Sequence, residues 1–120
     1  MIARLVRAAI APWFVAALLA SGCANNVGPD GAFIGGPCND EFDCVTGTYC
    51  LRLGSFPGGL CTRNCDGDGD CRGASACIEI DSGACLLTCE TDAECGREGY
   101  ACMPQTRRGA DGDVLACRAP

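Results

Sequence analysis

Between Cys65 and Cys71 the chain places Asp66, Asp68 and Asp70 at alternate positions, with Gly67 and Gly69 between them. Oxygen donors at every second position suit a hard cation such as calcium, and the two glycines would let the backbone wrap it. The other two openings of the same kind carry Asn39, Glu41 and Asp43, and Glu90, Asp92 and Glu94. In an extended segment such side chains share one face. A solvated acidic face that keeps a small, edge-rich body soluble is therefore the alternative reading. An EF-hand would place its turn glycine where Cys71 stands and its bidentate glutamate where Cys77 stands, so any calcium site here is of another kind.

Cysteine is the second chemistry-bearing residue. Cys38, Cys44, Cys50 and Cys61 form one set, Cys65, Cys71, Cys77 and Cys85 a second, and Cys89, Cys95, Cys102 and Cys117 a third. The C-x5-C-x5-C openings lack the close C-x2–4-C knuckle of zinc sites, and this chain has no His. Disulfide bonds are the expected use. Catalysis finds little to work with: no His to act as base, and no Lys or His to activate Ser55, Ser75 or Ser82. Paired carboxylates need a cleft to hold a sugar, which so short a cross-linked chain has little room to build. The turn-rich stretch Met103–Ala116 carries Arg107 and Arg108, a dibasic site that a trypsin-like protease would accept. Read as an exposed loop, it makes a protease inhibitor the alternative to a binding or structural module. Phe42, Phe56, Tyr49 and Tyr100 are the aromatics that would anchor a partner, the two tyrosines also fitting the small cores.

These residues must be positioned by a scaffold with little hydrophobic core. Leu, Ile, Val and Phe occupy only fifteen positions from Val27 to Leu115, and thirteen cysteines in 120 residues mark a disulfide-stabilised exported chain. The three sets recur as repeats over residues 38–61, 65–85 and 89–117, within a cysteine-rich array at 38–117. The expected fold is small and disulfide-rich, with short β-hairpins and loops in three tandem four-cysteine repeats. Each second gap holds a glycine (Gly47, Gly73, Gly99), which suggests a tight turn there. Gly28, Gly31, Gly35 and Gly36 with Pro29 and Pro37 make residues 23–37 read as a flexible tether. Spacing alone leaves the disulfide pairing open, since four cysteines allow three pairings.

Residues 1–22 have two arginines, an apolar run over Ala8–Ala20 and a small-residue exit, an export signal with a signal helix in the precursor. Thirteen apolar residues are too few to cross a hydrocarbon core of ~30 Å. Without Arg4 and Arg7, seven arginines face fifteen acids, for a net charge of −8. So acidic a surface argues against nucleic acid. Leu19-Ala20-Ser21-Gly22-Cys23 resembles the lipobox of bacterial lipoproteins. That resemblance implies diacylglyceryl transfer to Cys23, cleavage before it and N-acylation, giving a membrane-anchored chain. Removing Cys23 also leaves an even twelve cysteines to pair. Cleavage near Gly22 with Cys23 left as a thiol is the alternative. Ala24 in place of Asp implies sorting to the outer membrane, facing the periplasm or the surface, where an envelope protein or glycan would be the partner.

Cys38-Asn39-Asp40-Glu41-Phe42-Asp43-Cys44 and the following Val45-Thr46-Gly47-Thr48-Tyr49-Cys50 resemble the N-terminal cysteine-rich region of Dickkopf proteins. Acidic arrays of this spacing are also similar to those of many bacterial lipoproteins. The Dickkopf likeness covers about a dozen residues, and it implies crossed pairing, first to third and second to fourth. Carried through the repeats it implies Cys38–Cys50, Cys44–Cys61, Cys65–Cys77, Cys71–Cys85, Cys89–Cys102 and Cys95–Cys117.

Overall fold

The computed structural model describes residues 26–120; the signal segment, Cys23 and Ala24 lie outside the described residues. Three antiparallel hairpins form the body, one per repeat. Strands β1 (Tyr49–Leu51) and β2 (Leu60–Thr62) make the first, β3 (Ser75–Ile78) and β4 (Ala84–Leu87) the second. Strands β5 (Ala101–Thr106) and β6 (Asp113–Arg118) make the third. In every hairpin the third cysteine of the repeat lies directly across from the fourth: Cys50 opposite Cys61, Cys77 opposite Cys85, Cys102 opposite Cys117.

Those facing cysteines are not bonded to each other. Each repeat joins first to third and second to fourth, giving Cys38–Cys50, Cys44–Cys61, Cys65–Cys77, Cys71–Cys85, Cys89–Cys102 and Cys95–Cys117. The Cα separations of 5.6 to 5.8 Å sit in the ordinary range for a bridge. The opening gap of each repeat is thereby clamped onto its own hairpin. Closing loops of this length contributes about 3 kcal/mol per bridge through the unfolded chain's lost entropy. Twelve cysteines so paired belong to an oxidising compartment, and the chain is an exported one.

The glycines of the second gaps turn as their position suggests, with φ of +89° at Gly47, +58° at Gly73 and +83° at Gly99. Two other expectations are corrected. Asn26–Pro37, within the stretch read as a tether, is folded onto the body. Ile34 is fully buried and Phe33 nearly so, with the Arg72 guanidinium 4.8 Å above the Phe33 ring. The Gly35 N–H donates to Cys61 O, and the Cys61 N–H donates to Gly36 O. The glycines there let backbone approach backbone, a role that composition does not distinguish from flexibility. Met103–Ala116, expected as a loop, is mostly paired strand; only residues 107–112 form the tip of the third hairpin.

The repeats close on one another. Thr62 Oγ1, completely buried, donates to Cys85 O at 2.7 Å, tying repeat one to repeat two. The Cys89 N–H donates to Leu115 O inside repeat three, and the N–H of Thr88, in the link between repeats two and three, donates to Ala74 O of repeat two. Repeat three returns to repeat one through Tyr100 Oη on Pro57 O (3.0 Å) and Arg118 on Ser55 Oγ (2.7 Å). One core runs through all three, from Ile34 and Leu60 through Ile78 and Leu86 to Ala116.

Candidate functional site

The acidic gaps fold as short 3₁₀ turns at Glu41–Asp43, Asp68–Asp70 and Asp92–Cys95, not as the extended face expected of alternating acids. The cause is visible in their hydrogen bonds. The acid at the fifth position of each gap reaches back to the N–H that follows the opening cysteine. Asp43 accepts from Asn39 at 2.7 Å, Asp70 from Asp66 at 2.9 Å, and Glu94 from Glu90 at 3.2 Å. Closing the turn this way satisfies the backbone donor of the residue just before each helix cap.

The acid at the third position reaches forward to the hairpin. Asp68 Oδ1 accepts from the Cys77 N–H at 2.9 Å, and Asp92 Oδ1 from the Cys102 N–H at 2.8 Å. In the first repeat this position holds Glu41, one methylene longer, which has no such bond among the described residues. In repeats two and three the third-position acid thus pins the gap to its strand, beside the disulfide that does the same.

Repeat two adds a cation. The tip of the third hairpin lies against its acidic gap, with Arg107 paired to Asp68 Oδ2 and Arg108 reaching Glu79 at 2.8 Å and Asp66 at 3.4 Å. The backbone continues the pairing: Arg108 N–H donates to Cys77 O at 3.0 Å, and Glu79 N–H to Thr106 O at 2.9 Å. A Cβ on Gly109 would stand 2.2 Å from Asp66 O, so only glycine lets the tip settle this closely. The Cys77 N–H first, then the Arg107 guanidinium, hold the Asp68 carboxyl below its ordinary value. Two features singled out for separate chemistry, the aspartate run (through Asp66 and Asp68) and the dibasic pair, are one contact.

This arrangement bears on metal. Among the described residues, the groups of His, Cys, Asp and Glu whose ligand atoms converge are three cysteine triplets, and all their sulfurs are in disulfides. Asp66, Asp68 and Asp70 are not such a group, because Asp70 faces the Asp66 N–H while Asp68 faces Cys77 and Arg107. The dibasic pair is likewise bound on both side chains and at the Arg108 N–H, unlike an open inhibitory loop.

Of the aromatic anchor candidates, Phe56 and Tyr100 are buried and Tyr49 half-buried, while Phe42 is 87% exposed. The Tyr49 hydroxyl donates to Asp81 at 3.2 Å, and burial, followed by the Asp81 charge, pushes its pKa up to about 12. Burial also raises Tyr100, with the Arg97 charge opposing it. A hollow of about 540 Å³ opens between Pro29, Pro57 and Arg97, and is a shallow surface feature. The repetition of the carboxylate staple was legible as spacing. The arginines that meet it in repeat two were not, because they come from repeat three.

In comparisons with known proteins, the chain is similar to "Turripeptide OL55-like" of Lophiotoma acuta, with 33% identity over 82 residues. The match covers 68% of this chain and 66% of that protein, just under two thirds of its length. No protein-family model matches the chain, and no solved structure does.

Proposed function

We propose that this chain is a lipid-anchored, non-catalytic binding or structural module of the bacterial cell envelope, held at the outer membrane through acylated Cys23. The observation that carries the reading is how close to Cys23 the chain is already held by the body. Asn26 O accepts from the Phe33 and Ile34 N–H groups and Ile34 is fully buried, so a lipid at Cys23 would have at most two residues, Ala24 and Asn25, between it and a held part of the body. The three residue steps from Cys23 to Asn26 span at most ~11 Å. The module would then stand against the bilayer rather than on a long tether. Several acyl chains at one residue supply stable anchoring, at about 0.8 kcal/mol for each buried methylene.

The non-catalytic part rests on different facts. The chain has no His, Asp43, Asp68, Asp70, Asp92 and Glu94 are engaged in holding its own turns and strands, and the hollow at Pro29, Pro57 and Arg97 is open. Similarity to a chain named as a turripeptide points to a cross-linked scaffold that displays surface. Six bridges make such a surface stiff, so a partner's binding would lose little to ordering it.

Intact mass spectrometry of the chain exported from a bacterial envelope tests the anchor. The expected species begins at Cys23, carries the mass of diacylglyceryl and N-acyl groups, and gains twelve hydrogens on reduction. A species beginning elsewhere, or a Cys23→Ser variant that partitions into detergent as the parent does, would overturn it.

A further inference from the structure

Repeats two and three present a similar receptor, and among the described residues only that of repeat two is filled. In repeat two the outer edge of β3 receives residues 106–108: Cys77 O accepts the Arg108 N–H, and Asp68 shares its carboxylate between the Cys77 N–H and Arg107. Repeat three reproduces the receiving side. Asp92 Oδ1 takes the Cys102 N–H at 2.8 Å, as Asp68 takes that of Cys77. An antiparallel strand turns the N–H and C=O of one residue to the same side, so the Cys102 carbonyl also faces outward on the edge of β5. Among the described residues no cation meets Asp92 Oδ2, and the side chain is exposed. One difference is chemical. Pro104 stands where Glu79 supplies its N–H to Thr106 O, so this edge accepts hydrogen bonds without returning that one.

We propose that the outer edge of β5, with Asp92 as its charged anchor, is a docking edge for an extended, arginine-bearing segment of a partner protein. The chain's own third hairpin tip shows the ligand chemistry: a backbone N–H for the cysteine carbonyl and a guanidinium for the third-position carboxylate. Charge favours such a partner, since the body carries −8. Strand addition at a sheet edge supplies the rest of the recognition. The third hairpin tip of a second copy does not fit, because its Arg107 and Arg108 are already held by Asp68, Asp66 and Glu79, and two bodies of −8 repel.

The proposal deepens the reading as a binding module and rests on it. Lipidation plays no part in its test, so a negative result leaves the anchor standing. The probe is an acetylated, amidated peptide Gln-Thr-Arg-Arg-Gly, copied from residues 105–109, titrated into the exported, oxidised, isotope-labelled chain. Saturable amide shifts are expected at Cys102 and Met103, and none from a peptide with glutamine for both arginines. Asp92→Asn keeps an oxygen for the Cys102 N–H but loses the charge, and should weaken binding about two- to fivefold. Pro104→Glu restores the missing N–H and should tighten it. Absence of shifts at β5, shifts gathered instead around Glu90, Glu94 and Asp113, or equal binding by Asp92→Asn would each overturn the proposal.

Discussion

Arg107 sits on the carboxylate of Asp68, thirty-nine residues earlier in the chain, and the same carboxylate holds the Cys77 N–H. One side chain thereby joins the acidic gap of repeat two, its own hairpin and the tip of the next hairpin. Removing it should be felt in all three. Asp68→Ala is expected to lower unfolding stability by about 1–2 kcal/mol in urea, chiefly by orphaning the Cys77 N–H. Asp68→Asn, which keeps an acceptor, should cost less, and Arg107→Ala under about 1 kcal/mol because the pair is partly exposed.

Acid should weaken the same contact. The Asp68 carboxyl lies below its ordinary 3.8 in the folded chain, so its contribution is present above pH 3.8 and is lost as pH falls through the lowered folded value. Melting temperature followed downward from pH 5 should drop more steeply for the parent than for Asp68→Asn. Parallel curves would remove Asp68 from the account.

Tyr49 should report the junction of repeats one and two at the other end of the scale. Its folded pKa of about 12 exceeds the ordinary 10, so its neutral form stabilises the fold up to pH 10, and that contribution fades as pH rises toward 12. The chain has two tyrosines, so absorbance titration of Tyr100→Phe isolates Tyr49. Asp81→Asn is expected to lower the midpoint while leaving it above 10, since burial is the larger cause.

Trypsin should cut the native chain slowly between Arg107 and Arg108, because the Arg108 N–H is bonded to Cys77 O and both guanidinia are engaged. Reduction of the disulfides should release that protection. Fast cleavage of the oxidised chain at this bond would show that the tip leaves its seat.

Ile34→Ala should destabilise the fold by about 2–5 kcal/mol if Asn26–Pro37 belongs to the core. A cost near zero in equilibrium unfolding would return the segment to the status of a tether.

How much of this was legible before the fold follows from the range of each interaction. Cysteine spacing is a local record: loops of 12 to 22 residues set each hairpin, and the repeats, the turn glycines at Gly47, Gly73 and Gly99 and the cross-linked class were all readable from it. The crossed pairing that the structure shows is the one implied by the likeness of Cys38–Cys50 to Dickkopf proteins, and spacing by itself left it open.

The sequence alone determined that twelve cysteines would hold three small hairpins, because a chain with fifteen large aliphatic and Phe positions beyond residue 26 has little else to hold it. Tertiary structure alone decided what the acids and arginines do. Asp68 meets Arg107 and Tyr49 meets Asp81 only once separate repeats are packed together, across 39 and 32 residues. Composition along a segment carries no trace of a partner that distant. Gly35 and Gly36 show the same limit: their spacing fits a loose linker and a tightly packed strap equally well, and the strap formed because Ile34 had a core to enter.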